Sequence, residues 1–331
     1  MMTDSHPVIS QDISEKDIRD AFFDHLYDLA AKDKNLIFLT ADMGALSLER
    51  FRNDLGSQYI NAGIAEQNLV SVASGLALGG KKVFIYAIAP FITQRCYEQI
   101  KIDICGMRLP VTIIGSGPGI SYGSDGPTHH AIDDIAIMRN MPYINILNPS
   151  DSVLSEAAAG FAYESNDPIY IRLDKGRPPV LYERDITFHD GLSVLKQGQD
   201  LTIITTGIMV HKAFEIVGEL ARYSIDAAIV DAYRIKPLND VMMTDIISRS
   251  EKIITIEEHS VTGGLGSAVC DLMADRGILK PIKRIGIRHV NCTGYGSREW
   301  LHEYYGLDSR SICKEVISWL GDFLCTKIKK Y

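Results

Sequence analysis

One carboxylate, Glu66, stands at the head of residues 61–80, where Leu69, Val72, Ala73 and Leu76 recur at i, i+3, i+4 and i+7. That spacing gives one apolar stripe on a helix, and the Gly79-Gly80 pair ends it where a left-handed residue costs nothing. An acid in a first turn can simply complement the helix dipole or close a cap. It can equally be a buried acid offered to a ligand at a tight domain or subunit contact. Further residues of the same kind follow along the chain: Asp42 and Met43 after an apolar run, Phe91 after Pro90, and Asp125, His129 and His130 in a Gly-rich loop. Arg172 closes the series. An acid in an apolar setting, an aromatic and imidazoles beside a flexible loop form a candidate site. No Ser nucleophile elbow, kinase set, P-loop or His-Glu-x-x-His pair is present in the sequence. Gly263-Gly264-Leu265-Gly266 lacks the spacing of a dinucleotide loop, and helix packing is its expected role.

The segments that carry these residues read as strands and helices in alternation. Residues 35–44, 82–87, 110–115, 143–147 and 168–173 are apolar runs without polar alternation. Runs of that kind belong to parallel sheets covered on both faces. Ligands of open α/β sheets sit beyond the carboxyl ends of the strands, which is where Asp42, Met43, Phe91, Asp125 and His129 fall. A second series follows at 201–205, 227–231, 252–258 and 282–287, with a last helix at 311–324. The expected fold is therefore α/β with two doubly wound domains and mostly parallel sheets. A loose arm covers 1–13 and the first domain 14–180, opened by a helix with Ser14 as cap candidate. A linker at 181–199 leads to the second domain at 200–331.

The chain of 331 residues is 46% hydrophobic and 23% charged, with a formal net charge of −8. That balance argues against general affinity for nucleic acid or anionic membrane. Six cysteines occur without a Cys-x-x-Cys pair or metal-ligand spacing, the pattern of incidental thiols in a reducing compartment. With neither a signal-like start nor an apolar run of membrane-spanning length, the protein is expected in the cytoplasm.

Four ordered motifs together resemble the transketolase family: Gly63-Ile64-Ala65-Glu66-Gln67-Asn68, Arg95-Cys96-Tyr97-Glu98-Gln99-Ile100, Asp125-Gly126-Pro127-Thr128-His129 with Asp133-Asp134-Ile135-Ala136, and Pro149-Ser150-Asp151. Glu257-Glu258-His259 and Gly263-Gly264-Leu265-Gly266 resemble that family's terminal domain, so the likeness runs from about Ser14 to the end. The resemblance implies thiamine diphosphate as cofactor. Glu66 would hydrogen-bond its aminopyrimidine ring and favour the imino tautomer, whose nitrogen takes the thiazolium proton. Phe91 would stack on that ring, with Met43 beneath the bent cofactor and Asp42 and Ile64 beside it. Asp125 and His129 would meet sugar hydroxyls, and Arg19, His129 and Arg172 a sugar phosphate. His130 is read as a neighbour rather than a catalyst.

Full-length members of the family carry a Gly-Asp-Gly motif that holds the cofactor diphosphate and a divalent metal, and this sequence has none. The expectation is half an enzyme. A separate subunit would supply the diphosphate site and Mg2+ or another divalent ion, two copies of each chain would assemble, and no metal ligand is expected on this chain. The activity implied is transfer of a two-carbon ketol unit between sugars, with phosphorylated sugars expected as substrates. Gly117 and Ile88 stand where transketolases have an imidazole and an aromatic, so the sugar contacts are expected to differ. The rival reading is the equivalent subunit of a 2-oxoacid-decarboxylating enzyme. It resembles either a deoxyxylulose-phosphate synthase, whose loop has an arginine at the position of Pro118, or the beta subunit of a 2-oxoacid dehydrogenase.

Overall fold

A computed structural model describes residues 16–328 apart from 185, 187, 289 and 291, and apart from the side chains of 322–328. The apolar runs form the expected strands: β1 (Leu36–Thr40), β2 (Tyr59–Asn61), β3 (Lys82–Ile88), β4 (Val111–Ser116), β5 (Asn145–Leu147) and β6 (Ile169–Leu173). β1, β4 and β6 are buried along their whole length, as strands sandwiched between helix layers must be. After them come β7 (Ser193–Lys196), β8 (Leu201–Thr205), β9 (Ala227–Asp231), β10 (Arg234–Lys236), β11 (Ile253–Ser260) and β12 (Ile282–Ile287). The first sheet has the order β10-β5-β6-β4-β3-β1-β2 and the second β12-β11-β8-β9-β7. All pairings are parallel except β10 with β5 and β7 with β9. The architecture is thus α/β with two mostly parallel sheets.

One face of the first sheet is covered by the helices Ile18–Lys32 and Ser152–Glu164, tied where Ser155 Oγ donates to the Ile18 carbonyl at 2.8 Å. Phe23 fits edge-on between Phe38 and Tyr86, with centroids at 5.7 and 4.9 Å. Side chains of this size contribute on the order of 2 kcal/mol each when fully buried. The helix Glu66–Leu78 covers the opposite face through Leu69, Val70, Ala73 and Ala77. Val72, expected in that stripe, is 38% exposed. The buried line starts at Glu66 itself and leaves Val72 about 100° around the helix, since each residue turns by that angle.

Two boundaries differ from expectation. The first helix begins at Ile18 with Asp17 as its cap, accepting from the Arg19 and Asp20 amides at 3.0 and 3.4 Å. Ser14 and the expected arm 1–13 lie outside the described residues. The expected linker 181–199 contains β7, an edge strand of the second sheet. β10, in turn, leaves the second unit and pairs with β5 (Arg234 opposite Leu147, Lys236 opposite Ile146). Its anchor is Lys236, whose Nζ donates to the Arg139 carbonyl at 2.7 Å and to that of Met141. Among the described residues no helix is long and apolar enough to cross a membrane.

Candidate active site

Glu66 is the first residue of its helix and only 4% exposed. Its Oε2 accepts from Arg95 Nη1 at 3.1 Å. The Arg95 guanidinium also lies over the Phe91 ring, 4.1 Å from its centroid, a cation–π distance. Gln67 Nε2 donates to the Arg95 carbonyl at 3.1 Å and fixes that backbone. Phe91 belongs to the short helix Ala89–Thr93 directly after β3, and His129 meets its ring edge-on at 4.9 Å. A buried acid, a half-buried aromatic and an imidazole thus converge at the carboxyl end of β3. The sequence reading did not place Arg95 in the site. Arg95 lies in the turn just past the Ala89–Thr93 helix, four residues after Phe91.

Asp42 and Met43 follow β1, and Ile64 follows β2 one strand away. Asp42 adopts a left-handed backbone, φ 55°, and the Asn61 side chain clamps it at both ends. Asn61 Nδ2 donates to Asp42 Oδ1 at 2.9 Å, and the Asp42 amide donates to Asn61 Oδ1 at 3.1 Å. Thr40 Oγ1 holds Met43 in the same way, donating to its carbonyl at 2.9 Å. Ile64 is 78% exposed. All three stand at strand ends on the Glu66 side.

The Gly-rich loop after β4 carries Asp125, which is exposed, and His129, whose Nδ1 lies 3.0 Å from Thr128 Oγ1. Gly117 has φ +75°, and a Cβ there would meet the Tyr122 ring at 2.1 Å. Tyr122 therefore fills the space beside the position where transketolases have an imidazole. Its hydroxyl continues a row through Ser116 Oγ (3.1 Å) to Tyr86 (3.3 Å), and burial pushes the Tyr86 phenol up to about 12. Arg19 sits at the Tyr86 end of this row, beside Asp20 at 3.7 Å. Lys175 lies over the Tyr122 ring at 4.4 Å at the other end. His130 is buried, its Nδ1 3.2 Å from the Cys292 carbonyl. Since a carbonyl only accepts, that nitrogen carries the proton.

Arg172, expected to meet a sugar phosphate, lies in a buried cluster. It is 3% exposed in the middle of β6, with Nε on Asp134 Oδ2 at 2.7 Å and Nη2 on the Ala131 carbonyl at 3.3 Å. Tyr170 donates to the same Asp134 oxygen at 2.6 Å, and His259 Nε2 lies 3.8 Å from its other one. Burial holds the His259 imidazole down at about 4, so it packs neutral. In this structure the guanidinium of Arg172 is engaged in this buried cluster and stands away from the surface. Just beyond this strand Lys175 and Arg177 are exposed cations, and Lys175 is the one that lies over Tyr122.

Gly263-Gly264-Leu265-Gly266 proves to be occupied by the protein itself. Glu257 accepts from the Leu265 and Gly266 amides at 2.7 and 2.9 Å. A Cβ on Gly264 would stand 1.9 Å from that carboxylate. The helix N-terminus that could have held a phosphate holds Glu257. Among the described residues no group of three or more His, Cys, Asp or Glu could hold a metal ion.

Comparison with known proteins matches residues 14–179 to the transketolase pyrimidine-binding domain and residues 191–312 to the transketolase C-terminal domain. The chain is 35% identical over 305 residues to one of the subunits of the apulose-4-phosphate transketolase of Phocaeicola vulgatus, covering 91% of this chain and 97% of that one. It is 34% identical over 306 residues to a 6-deoxy-6-sulfo-D-fructose transketolase subunit of a Clostridium species, covering 91% of this chain and 94% of that one. Among solved structures it superposes on a split-gene transketolase described as an inactive beta4 tetramer. The TM-score is 0.83 and the identity 33%, with 91% of this chain and 97% of that chain covered.

Proposed function

The chain belongs to the transketolase family, and from that premise we propose that it is the pyrimidine-binding subunit of a two-component, thiamine-diphosphate-dependent transketolase. The observation that carries this reading is Glu66: a carboxylate 4% exposed at a helix start, joined through Arg95 to the Phe91–His129 pair at the end of β3. That set fits an aminopyrimidine, which needs a buried carboxyl group for its ring nitrogen and an aromatic face for its ring. Glu66 would hold the ring, Phe91 stack on it, and Met43, Asp42 and Ile64 line it from the ends of β1 and β2. Bound there, thiamine diphosphate supplies a carbon nucleophile toward a ketose carbonyl. Mg2+ or another divalent ion and the diphosphate cradle would come from a second subunit, in two copies each.

The remaining steps belong to this chain's own side chains. Glu66 shares a proton with the pyrimidine nitrogen at a carboxyl oxygen. His129 shuttles a proton at a sugar hydroxyl, and Asp125 orients a second hydroxyl. The substrate's anionic end would lie between Arg19 and Lys175, the two cations at the ends of the largely buried Tyr86–Ser116–Tyr122 hydroxyl row. That pair replaces Arg172 in this reading. Such a subunit works in the cytoplasm, where sugar phosphates are found.

Reconstitution with a Gly-Asp-Gly subunit tests the proposal. The pair should transfer a ketol unit from a ketose phosphate and release no carbon dioxide from pyruvate; carbon dioxide release would favour a 2-oxoacid-decarboxylating enzyme instead. By calorimetry, thiamine diphosphate binding tightly and at full stoichiometry to this chain alone would defeat the two-component claim.

A further inference from the structure

The loop bearing Asp125 and His129 touches the second domain at four points. His130 bonds the Cys292 carbonyl, the Gly296 amide donates to the Gly123 carbonyl at 3.2 Å, the Tyr295 ring covers Gly126, and Glu258 lies against Gly119. A Cβ would meet Gly296 O at 2.5 Å from Gly123, the Tyr295 ring at 2.1 Å from Gly126 and the Glu258 carboxylate at 2.3 Å from Gly119. Gly119 and Gly126 have φ of +61° and +77°. Backbone contact this close, in a conformation that disfavours side chains, leaves the loop little room to shift.

Arg298 ties these contacts together. It opens the helix Arg298–Tyr305 and is the cation between two nearly buried carboxylates. Nη1 and Nη2 donate to Asp174 Oδ1 and Oδ2 at 3.0 and 2.7 Å, a forked pair. Nε donates to Glu258 Oε1 at 2.9 Å, and Nη2 also reaches Glu258 Oε2. His302 Nε2 meets Glu258 Oε1 at 2.5 Å. Asp174 directly precedes Lys175, the cation over Tyr122, and Glu258 is the wall behind Gly119. One guanidinium thus fixes the residue before the anion-contacting lysine and the surface against which the His129 loop rests.

We propose that Arg298, with Tyr295, is a positioning residue for sugar binding, through which the second domain sets the loop of Asp125 and His129 and the Asp174–Lys175 corner. The inference rests on the transketolase reading, because the sugar contacts it positions are assigned there. Arg298 touches no reacting atom. Its effect is expected on recognition of the sugar more than on the cofactor end around Glu66, which lies on a different strand end.

The test compares Arg298→Gln, Arg298→Lys and Tyr295→Ala in the reconstituted two-subunit enzyme. Tyr295 is 65% exposed, so its truncation removes the loop contact without leaving a buried charge unpaired. Ångström-scale misplacement of positioning groups costs up to roughly a hundredfold. Arg298→Gln should raise the sugar KM about tenfold or more, Tyr295→Ala about threefold, and Arg298→Lys should recover part of the loss. Thiamine diphosphate affinity should change less than the sugar KM, since the His129–Phe91 ring contact is the link from this loop to the cofactor end. Hydrogen exchange, which needs no activity, should speed up in 117–130 in both Arg298→Gln and Tyr295→Ala while β1 and β3 stay protected. Unchanged exchange in 117–130 for both variants overturns the inference, as does faster exchange with an unchanged sugar KM. If the wild-type pair transfers no ketol unit, the functional reading falls by itself, and loop exchange alone decides the positioning claim.

Discussion

At the scale of single residues, the site depends on where one carboxyl group and two cations stand. Glu66→Gln keeps the shape and the helix start while removing the group that shares a proton. Ketol transfer by the reconstituted pair should fall by about a hundredfold or more, the range for losing one proton-transfer group, with the melting temperature held within a few degrees. Activity near that of the wild type would end the proton-sharing role. Lys175 lies over Tyr122 and accepts no duty in the buried cluster that claims Arg172. Lys175→Gln should therefore raise KM for a phosphorylated ketose by about tenfold, the value of one charge-assisted contact. KM for the unphosphorylated sugar should hardly change. An equal effect on both substrates would remove Lys175 from the anion site.

Among elements, the helix Leu265–Asp275 shows how a sequence motif is used up by the fold. Its two leading amides belong to Glu257, whose carboxyl is pushed up to about 7 by complete burial even though both bonds favour the charge. Gly264 is required because the Glu257 carboxylate fills the place of a Cβ. Gly264→Ala must displace that carboxylate from the helix start or move the helix. A loss of about 2–4 kcal/mol follows from overpacking and a broken buried hydrogen bond. Chemical denaturation measures it, and a loss below about 0.5 kcal/mol, the scale of surface substitutions, would contradict the packing described.

Across the whole molecule, the two units are joined by more than a linker. β10 completes the first sheet, Arg298 spans Asp174 and Glu258, and Asp231 of the second sheet accepts from Ser150 at 2.6 Å and Tyr182 at 2.8 Å. Complete burial pushes the Asp231 carboxyl up to about 7. A folded-state pKa above the unfolded value means that the native chain holds a proton which the unfolded chain releases. The contribution is present at low pH and is lost as pH rises through the window from about 4 to 7. Asp231→Asn keeps both donors satisfied and cannot ionise. Between pH 5 and pH 8 the variant should gain on the order of 2 kcal/mol relative to the wild type, or several degrees in melting temperature. Parallel melting curves across that range would show that Asp231 does not titrate with folding. The comparison isolates this residue from His259, which is held down to about 4 and pulls stability in the opposite direction with pH.

Much of the fold was legible in the chain because its signals are local. Continuous apolar runs could only be sandwiched strands, the i, i+3, i+4 stripes set the helices, and Asp42, Glu66, Phe91, Asp125 and His129 follow strand ends whatever the exact packing. The sequence alone therefore determined the α/β class and the end of the sheet at which chemistry gathers. Tertiary structure decided which cations stay exposed at the end of β6. Side chains alternate faces along a strand, so Arg172, inside β6, was drawn into the buried Asp134 cluster, while Lys175, beyond the last strand residue, stayed open. It also decided that β10 crosses to the first sheet and that Arg298 braces the His129 loop from the second domain. Those pairings join residues 40 to 124 positions apart, so no local spacing announces them; they exist only once both sheets are closed.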